Sequence, residues 1–193
     1  MLIFFKELTL DEGFEVIAKT KQDRLVNGRL VSAPSGKYLF EAVRGSGAPL
    51  KCWSCGLEAN MFVLNKGQND HVSKPTLDLY AGHDGVYTLM TRDHIIPRSL
   101  GGNDEVANLR IGCSPCNGAR GNIMTSEDLV FMQDNQHLIK PNFVKKAKDE
   151  VIAENPVLAD IAAKKRVKKV RSRHQARIRK KRAGIPLLEK SNG

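Results

Sequence analysis

Two cysteine pairs offer the clearest chemistry in this sequence of 193 residues. Cys52 and Cys55 are separated by two residues, and so are Cys113 and Cys116. Four thiolates in two such pairs are the ligand set of a closed tetrahedral zinc site, which ties distant segments together. Four ordinary reduced cysteines and a thioredoxin-like redox pair are the alternatives, but two pairs with matched spacing favour structural zinc.

A run of polar and basic residues lies between and beside the cysteine pairs. It reads Asp93-His94-Ile95-Ile96-Pro97-Arg98, then Gly101-Gly102, Asn108-Leu109-Arg110 and Cys116-Asn117-Gly118-Ala119-Arg120-Gly121. From Lys51 to Asn122, about a third of the chain, the sequence closely resembles the HNH endonucleases of phage or mobile-element type. The long interval between Cys55 and Asp93 departs from the compact members, and we interpret it as an inserted hairpin.

The resemblance implies a ββα-metal fold and four catalytic residues: His94, Asp93, Asn108 and Asn117. The neutral imidazole of His94 suits a general base, because its ordinary pKa lets it take a proton from water at physiological pH. Asp93 and Asn117 offer hard oxygen ligands to a catalytic Mg²⁺ or Mn²⁺. Asn108 is the middle residue of the motif, which ties the loop between the strands through backbone hydrogen bonds.

Basic residues predict contacts with a nucleic acid. Arg120 stands where the family shows Lys or Arg before a glycine, and its guanidinium is expected to clamp a phosphate, with Arg98 and Arg110 as further candidates. The net charge is +10. Twelve of the basic residues form a run without any acid: Lys164, Lys165, Arg166, Lys168, Lys169, Arg171, Arg173, Arg177, Arg179, Lys180, Lys181 and Arg182. A solvated helix face is the alternative, but such a run repels itself unless a polyanion neutralises it.

Hydrophobic patterning and turn residues predict the elements that position these groups. A strand or helix start is expected at Leu2–Phe5, and strands at Tyr38–Val43, Thr76–Tyr80 and Val86–Met90, the last two joined as a hairpin by Gly82-His83-Asp84-Gly85. Helices are expected over Leu8–Ala18, after Cys116, from a cap at Ser126, and from a cap at Asn155 through a long basic stretch from Pro156 to about Ala183.

These elements predict an α+β protein in three parts. Residues 1–50 form an N-terminal β-rich accessory region, and residues 51–125 form the ββα-metal core with its four-cysteine structural zinc site. Residues 126–193 form a helical extension with the basic helix and a flexible tail. The opening apolar run is too short for a signal peptide and no stretch approaches a membrane span. We therefore expect a cytoplasmic location, in the host cytoplasm if the protein is viral, and no membrane contact.

The function expected from these features is a divalent-metal-dependent endonuclease that hydrolyses nucleic acid, with DNA favoured over RNA. The alternative is a non-catalytic zinc module that binds DNA or RNA through the same fold. The intact Asp93, His94 and Asn117 favour the enzyme, because a binding module has no need of a base beside a hard-metal site. Homing, packaging and restriction roles are all compatible with this chemistry, and the oligomeric state is open.

Overall fold

A five-stranded antiparallel sheet carries the residues singled out above. The computed structural model of the protein describes residues 2–67, 74–143 and 149–182. The sheet has the order β1-β4-β5-β6-β7, and a separate two-stranded ribbon pairs β2 with β3. The strands are β1 Leu2–Thr9, β2 Leu25–Val26, β3 Arg29–Leu30, β4 Met61–Gly67, β5 Thr76–His83, β6 Val86–His94 and β7 Leu109–Cys113.

The predicted hairpin between the cysteine pairs is confirmed as β5 and β6. His83 pairs with Val86, so Asp84 and Gly85 form a two-residue loop. Both loop residues have positive φ, 50° and 77°. This is the geometry of a turn whose twist matches that of the two strands. The hairpin sets the register of β6, which ends at His94.

Six α-helices accompany the sheet in the described part of the chain. They are α1 Leu10–Ala18, α2 Lys37–Gly45, α3 Ser114–Arg120, α4 Ser126–Asp134, α5 Asp149–Glu154 and α6 Pro156–Arg182. The helix predicted over Leu8–Ala18 is confirmed as α1, although Leu8 and Thr9 still belong to β1. The strand or helix start expected at Leu2–Phe5 is the beginning of β1.

The strand predicted over Tyr38–Val43 is wrong, because this segment lies in the helix α2. Leu39 and Phe40 are buried in the main core and Val43 packs against the same core. Positions 39, 40 and 43 lie on one face of a helix, whereas a strand would point neighbouring side chains to opposite faces. The glycines and prolines around the segment end the helix early but do not make it a strand.

Side-chain caps begin two of the helices that follow the motif, α4 and α6. Thr125, not the expected Ser126, caps α4: its hydroxyl accepts from the backbone N–H of Asp128 at 3.1 Å, and the Asp128 carboxylate accepts from the Thr125 N–H at 3.2 Å. The cap predicted at Asn155 is confirmed, because its Oδ1 accepts from the N–H groups of Val157 and Leu158, each at 3.1 Å. Such caps satisfy the N–H groups that a helix start leaves without partners.

Two hydrophobic cores hold these elements together. The main core lies between the sheet and helices α1 and α2 and includes the fully buried Phe62, Leu77 and Leu79. The second core joins Ile96, two residues after His94, to α4 and α6 through residues such as Met132 and Leu158. The second core therefore connects the loop after His94 to the start of the basic helix.

The packing contacts of helix α6 in the described part of the chain lie at its beginning. Leu158 is buried and Ile161 packs against the second core, whereas Val167 is 51% exposed. Lys164, Lys165, Lys168 and Lys169 are exposed, and the backbone stays helical to Arg182. The other basic residues of the run have side chains outside the described part, as do the apolar Val170 and Ile178. The predicted tail after Arg182 also lies outside it.

Residues 2–9 supply an edge strand to the same sheet as the motif, and the division of the chain at residues 50 and 125 stays a prediction. Among the described helices, none combines the length and the apolar character needed to cross a lipid bilayer.

Candidate active site

The four cysteines meet at one point, although the two pairs lie far apart in the sequence. Their Sγ atoms all lie within 4.8 Å of one another, and those of Cys55 and Cys113 are 3.8 Å apart. A tetrahedral ion with zinc–sulfur bonds of about 2.3 Å requires sulfur–sulfur distances of roughly 3.8 Å. All four thiols are free of disulfides. The cluster therefore fits a metal ion such as zinc.

Burial and hydrogen bonds give Cys52 and Cys113 very different pKa values. Burial raises the pKa of Cys52, but hydrogen bonds from the backbone of Cys113 and Cys55 outweigh burial and lower this pKa to about 6. Burial raises the pKa of Cys113 to about 12. Four thiolates side by side repel one another, and a divalent cation removes that repulsion. The cluster is thus suited to a cation rather than to four neutral thiols.

Strands β6 and β7 and helix α3 form a compact ββα element beside this cluster. Asp93 pairs with Arg110 and His94 pairs with Leu109 across the two strands. Cys113 ends β7 and is also the N-cap residue of α3, so the second cysteine pair joins strand to helix. Successive residues of a strand point to opposite faces. Asp93 accordingly faces the helices, and His94 faces the loop that follows it.

A buried network of four charges lies on the helix side of β6. Asp93 accepts hydrogen bonds from Arg110 Nε at 3.0 Å and from Arg120 Nη1 at 2.8 Å. Asp128 accepts from Arg110 Nη1 at 2.8 Å and from Arg120 Nη2 at 2.9 Å. The two carboxylates are 3% and 2% exposed. Two cations and two anions thus neutralise one another in a site nearly closed to water.

Arg110 and Arg120 do more than neutralise the acids. Arg120 donates to the backbone carbonyls of His94 and Ile95 at 2.8 and 2.9 Å, which fixes the end of β6 to the end of α3. The guanidinium carbon of Arg110 lies 3.5 Å from the centre of the Trp53 ring, an attractive cation–π contact. The backbone N–H of Trp53 donates to Ile111 at 2.9 Å. Trp53 therefore connects the first cysteine pair to the charge network.

Burial and ion pairing compete at Asp128. Burial raises its pKa, but the hydrogen bonds from Arg110 and the Thr125 backbone outweigh burial, so the pKa of Asp128 lies below its ordinary value. Asp128 stays ionised at neutral pH and balances the second guanidinium. Without it, one of the two arginines would be buried without a counter-charge, which is costly.

The charge network engages Asp93, which the sequence analysis assigned to a catalytic metal. Both carboxylate oxygens of Asp93 are directed at guanidinium groups, so a cation bound there would have to displace at least one of them. Asn117, the second expected ligand, donates its amide N–H to Thr91 Oγ1 at 3.0 Å. Binding of a divalent cation by Asp93 and Asn117 would therefore require an arginine to move away from Asp93, and it stays a prediction.

His94 lies in a polar cluster on the other face of β6. Its Nε2 is 2.9 Å from Oδ1 of Asp104, and its side chain is 13% exposed. Arg98 also donates to Asp104, and its Nε lies 3.3 Å from His94 Nε2. The Arg98 hydrogen bond, followed by that of His94, lowers the pKa of Asp104 to about 2. A permanently charged carboxylate therefore stands beside the imidazole.

Asn108 closes the loop that carries Asp104. Its Oδ1 accepts from the Ile96 N–H at 2.9 Å, and its Nδ2 donates to the carbonyls of Ile96 and Asn103 at 3.2 and 2.9 Å. The side chain is fully buried. A Cβ on Gly102 would stand 1.9 Å from the Ile96 carbonyl oxygen, so only glycine fits beside this hydrogen-bonded loop. Asn108 thus positions the loop rather than reacting.

The structure divides the three arginines proposed to contact phosphate. The side chain of Arg98 is 52% exposed and lies beside His94. Those of Arg110 and Arg120 are only 19% and 6% exposed and hold Asp93 and Asp128. A phosphate could reach these two only if the charge network opened. Of the three, Arg98 is the one whose position suits a contact with substrate.

Several contributors escaped the sequence analysis. Asp104 follows two glycines and an asparagine, so its sequence neighbourhood indicates only a turn. Asp128 lies in the first turn of α4, where an acid is ordinary, and no local signal in the sequence indicates its burial against Arg110 and Arg120. Trp53 sits inside the first cysteine pair, where an aromatic residue indicates packing and nothing more. Each acts on a partner that lies far away along the chain.

The geometry described here, a ββα element joined to a four-cysteine cluster with a histidine at its strand end, is that of a ββα-metal fold. A family model described as HNH endonuclease matches residues 85–127. This segment, which spans β6, β7 and α3, is thus an HNH endonuclease domain, and its family indicates a nuclease that acts on nucleic acid. No curated protein and no solved structure matches the chain significantly.

The cysteine cluster predicts that the purified chain carries about one zinc ion and depends on it for folding. Substituting Cys113→Ser removes one ligand at the junction of β7 and α3, so we expect zinc to be lost and Tm to fall by at least about 10 °C. Zinc content and thermal unfolding are the measurements, with Ser114→Ala as the neighbouring exposed control. Full stability of Cys113→Ser without zinc would contradict a structural metal.

The charge network predicts that Asp93→Asn destabilises the protein even without divalent cations in the buffer. The substitution leaves two buried guanidinium groups short of one counter-charge, at a cost of about 3 to 5 kcal/mol. Chemical denaturation of the zinc-loaded protein measures the change, and Asp104→Asn, on a carboxylate that is 45% exposed, serves as the control. Unchanged or increased stability of Asp93→Asn would indicate that Asp93 exists mainly to bind a metal.

Proposed function

We propose that the protein is an endonuclease that hydrolyses phosphodiester bonds of DNA with His94 as the general base. One observation supports this above the others: the HNH match spans the element on which His94 is held by a charged carboxylate. The backbone of His94 is held as well, through Arg120. Both the side chain and the backbone of His94 are therefore held in place. A general base needs this because its ring must meet the substrate in a fixed position.

Asp104 selects which ring nitrogen of His94 carries the proton. If Nε2 were unprotonated, its lone pair would face a carboxylate oxygen at 2.9 Å, an electrostatic repulsion. The tautomer with hydrogen on Nε2 instead donates to Asp104, and the Arg98 guanidinium then also donates to Asp104. Nδ1 is left with the lone pair. The same arrangement stabilises the imidazolium that forms when His94 takes a proton.

The chemical step follows from this tautomer. Nδ1 of His94 removes a proton from a water molecule, and the hydroxide oxygen attacks the phosphorus while the bond to the leaving oxygen breaks. The proton stays on His94 until it returns to solvent, and the leaving oxygen takes a proton from solvent. Arg98, half exposed beside His94, offers positive charge to the phosphate. A divalent cation, which HNH nucleases use, would supply further positive charge at the phosphate when bound.

The basic helix supports a polyanionic substrate. Helix α6 packs against the second core through Leu158 and Ile161, and its described lysines from Lys164 onwards are exposed. Lys164 forms an ion pair with Asp160 at 2.6 Å, whereas Lys168 and Lys169 form none with the described carboxylates. Contacts of such a helix go mainly to phosphates and provide affinity without sequence preference. Double-stranded DNA, with its high charge density, suits a long exposed basic helix.

A second candidate function is a zinc-containing module that binds nucleic acid without cutting it. The engagement of Asp93 by two arginines favours this alternative, because it closes the expected cation position. The cluster of His94, Arg98 and Asp104 favours the enzyme, because a binding surface gains nothing from an oriented neutral imidazole. The two functions differ in whether bonds are broken, which a cleavage assay measures directly.

The nuclease proposal predicts that supercoiled plasmid and single-stranded DNA are cleaved with Mg²⁺ or Mn²⁺ and not with EDTA. His94→Ala should lower the cleavage rate by about 10² to 10⁴, the usual contribution of a general base. Zinc content and thermal stability must match those of the wild type. Cleavage that survives in His94→Ala, or tight binding without cleavage under every metal, would overturn the proposal.

The role of Asp104 predicts a fall in kcat with little change in KM. Asp104→Ala removes the partner that fixes the tautomer, so we expect a loss of at least about 10-fold, below the roughly 10⁴-fold seen when a buried triad carboxylate is altered. Asp104→Glu should recover part of the rate, because it restores a charged acceptor. Glu105→Gln, on the same exposed loop, is the control. Equal losses for Ala and Glu, or a change in KM alone, would contradict a positioning role.

A further inference from the structure

A second concave site lies in the N-terminal region, outside the HNH segment. It is a cavity of about 360 Å³ whose walls carry four basic side chains, those of Lys21, Arg24, Lys37 and Lys74, together with Tyr38. We call it the basic pocket. Its volume is at the lower end of the range of ligand sites, roughly 300 to 1,000 Å³. Nothing in the cleavage chemistry described above uses it.

The basic pocket is attached to the start of β5. Ser32, one of its lining residues, forms a bridge with Thr76. The Ser32 N–H donates to Pro75 at 2.8 Å, and the Leu77 N–H donates to Ser32 at 2.9 Å. These hydrogen bonds hold the segment after β3 against the sheet. The pocket is therefore part of the folded body and not a gap between loose loops.

The positive charge of the basic pocket favours the binding of an anion. No acidic residue lines it. Lys37 is paired with Glu41 at 3.6 Å, but within residues 2–67, 74–143 and 149–182 neither Lys21, Arg24 nor Lys74 forms an ion pair with a carboxylate. Three uncompensated cations around one concavity repel one another, and a phosphate group that enters it relieves the repulsion. The pocket thus favours a phosphorylated ligand.

Tyr38 adds a second recognition element. Its side chain is 73% exposed although it lines the pocket, and the Lys37 ammonium lies 5.7 Å from the ring centre. An exposed aromatic ring beside phosphate-binding cations is the combination that binds nucleotides of single strands, since the base stacks on the ring while the cations hold the backbone. A base inside a duplex offers no free face, so the ligand must be unpaired.

The topology places the basic pocket at the same end of the sheet as His94. Strand β5 begins at Thr76 and its antiparallel neighbour β6 ends at His94. Pairing between the two strands ends at Tyr80 and Leu89, and beyond it the start of β5 and the end of β6 both run towards the same end of the sheet. The basic pocket, bridged to Thr76, therefore lies towards the end of the sheet at which β6 reaches His94.

We propose that the basic pocket binds an unpaired nucleotide of the nucleic-acid substrate, with its phosphate held by Lys21, Arg24 and Lys74 and its base stacked on Tyr38. The proposal rests on the nuclease function proposed above, because it treats the ligand as part of the same substrate strand. The pocket then contributes affinity for substrates with a single-stranded segment. It also gives the protein a preference for unpaired over fully paired DNA, which the basic helix cannot supply.

Binding of a fluorescent single-stranded oligonucleotide to the full chain tests the proposal. The zinc-loaded His94→Ala protein prevents cleavage, and anisotropy gives the affinity. Adding Tyr38→Ala should weaken binding by about 10-fold, whereas Tyr38→Phe, which keeps the ring, should not. Adding Lys21→Ala and Lys74→Ala should weaken binding and reduce the slope of log affinity against log salt by about 1.4, the value for two lost phosphate contacts on a single strand.

Lys6→Ala with Lys51→Ala, two exposed lysines that do not line the pocket, is the charge-matched control. If this control weakens oligonucleotide binding as much as the pocket variants do, the effect comes from net charge alone and the proposal is wrong. The proposal is also wrong if Tyr38→Ala weakens binding to a blunt-ended duplex as much as binding to the single strand.

A nucleoside monophosphate distinguishes two ligands of the same chemistry, a nucleotide within a strand and a free nucleotide. If it binds with the same dependence on Tyr38 and Lys74 while oligonucleotide affinity is unchanged, the pocket takes free nucleotides and the proposal is wrong. Cleavage by the wild-type chain is measured separately. If the wild type does not cleave but strand binding still depends on the pocket residues, the proposed nuclease function is wrong and the proposed pocket stands.

Discussion

The mutual neutralisation of Asp93, Asp128, Arg110 and Arg120 is the interaction on which the rest of the site depends. Each member comes from a different element: Asp93 from β6, Arg110 from β7, Arg120 from α3 and Asp128 from α4. Buried charges are tolerated only when all are paired, so the network holds these four elements in one arrangement. Because Arg120 also binds the carbonyl of His94, the position of His94 follows from the charge balance behind it.

The cysteine cluster and the charge network reinforce each other through Trp53. The first cysteine pair brings the indole over Arg110, and the second pair joins β7 to the helix that carries Arg120. A metal ion in the cluster therefore fixes both arginines indirectly. This coupling explains how a short ββα element can hold a histidine in place: its rigidity comes from a metal and from ionic contacts more than from a large core.

The two faces of β6 have different environments. The helix side is closed, neutral in sum and structural, whereas the loop side presents His94, Arg98 and Asp104 to solvent. In our proposal, substrate affinity is supplied elsewhere, by the basic helix α6 and by the basic pocket. Separating binding from chemistry in this way lets salt and substrate shape alter affinity while the geometry at His94 stays constant.

The sequence by itself determined what depends on neighbours along the chain. The paired cysteines predicted the cluster, the turn at Asp84-Gly85 predicted the hairpin, Asn155 predicted its helix start, and the Asp-His and Asn motifs predicted the HNH segment. Only the tertiary structure decided that Tyr38–Val43 is helical, that Asp93 and Arg120 neutralise each other, and that Asp104 faces His94. The physical reason is that electrostatic pairing and burial depend on distances between remote residues, which no local pattern encodes. Local signals therefore indicated the candidate functional groups, and long-range contacts decided which of them are engaged in buried ion pairs.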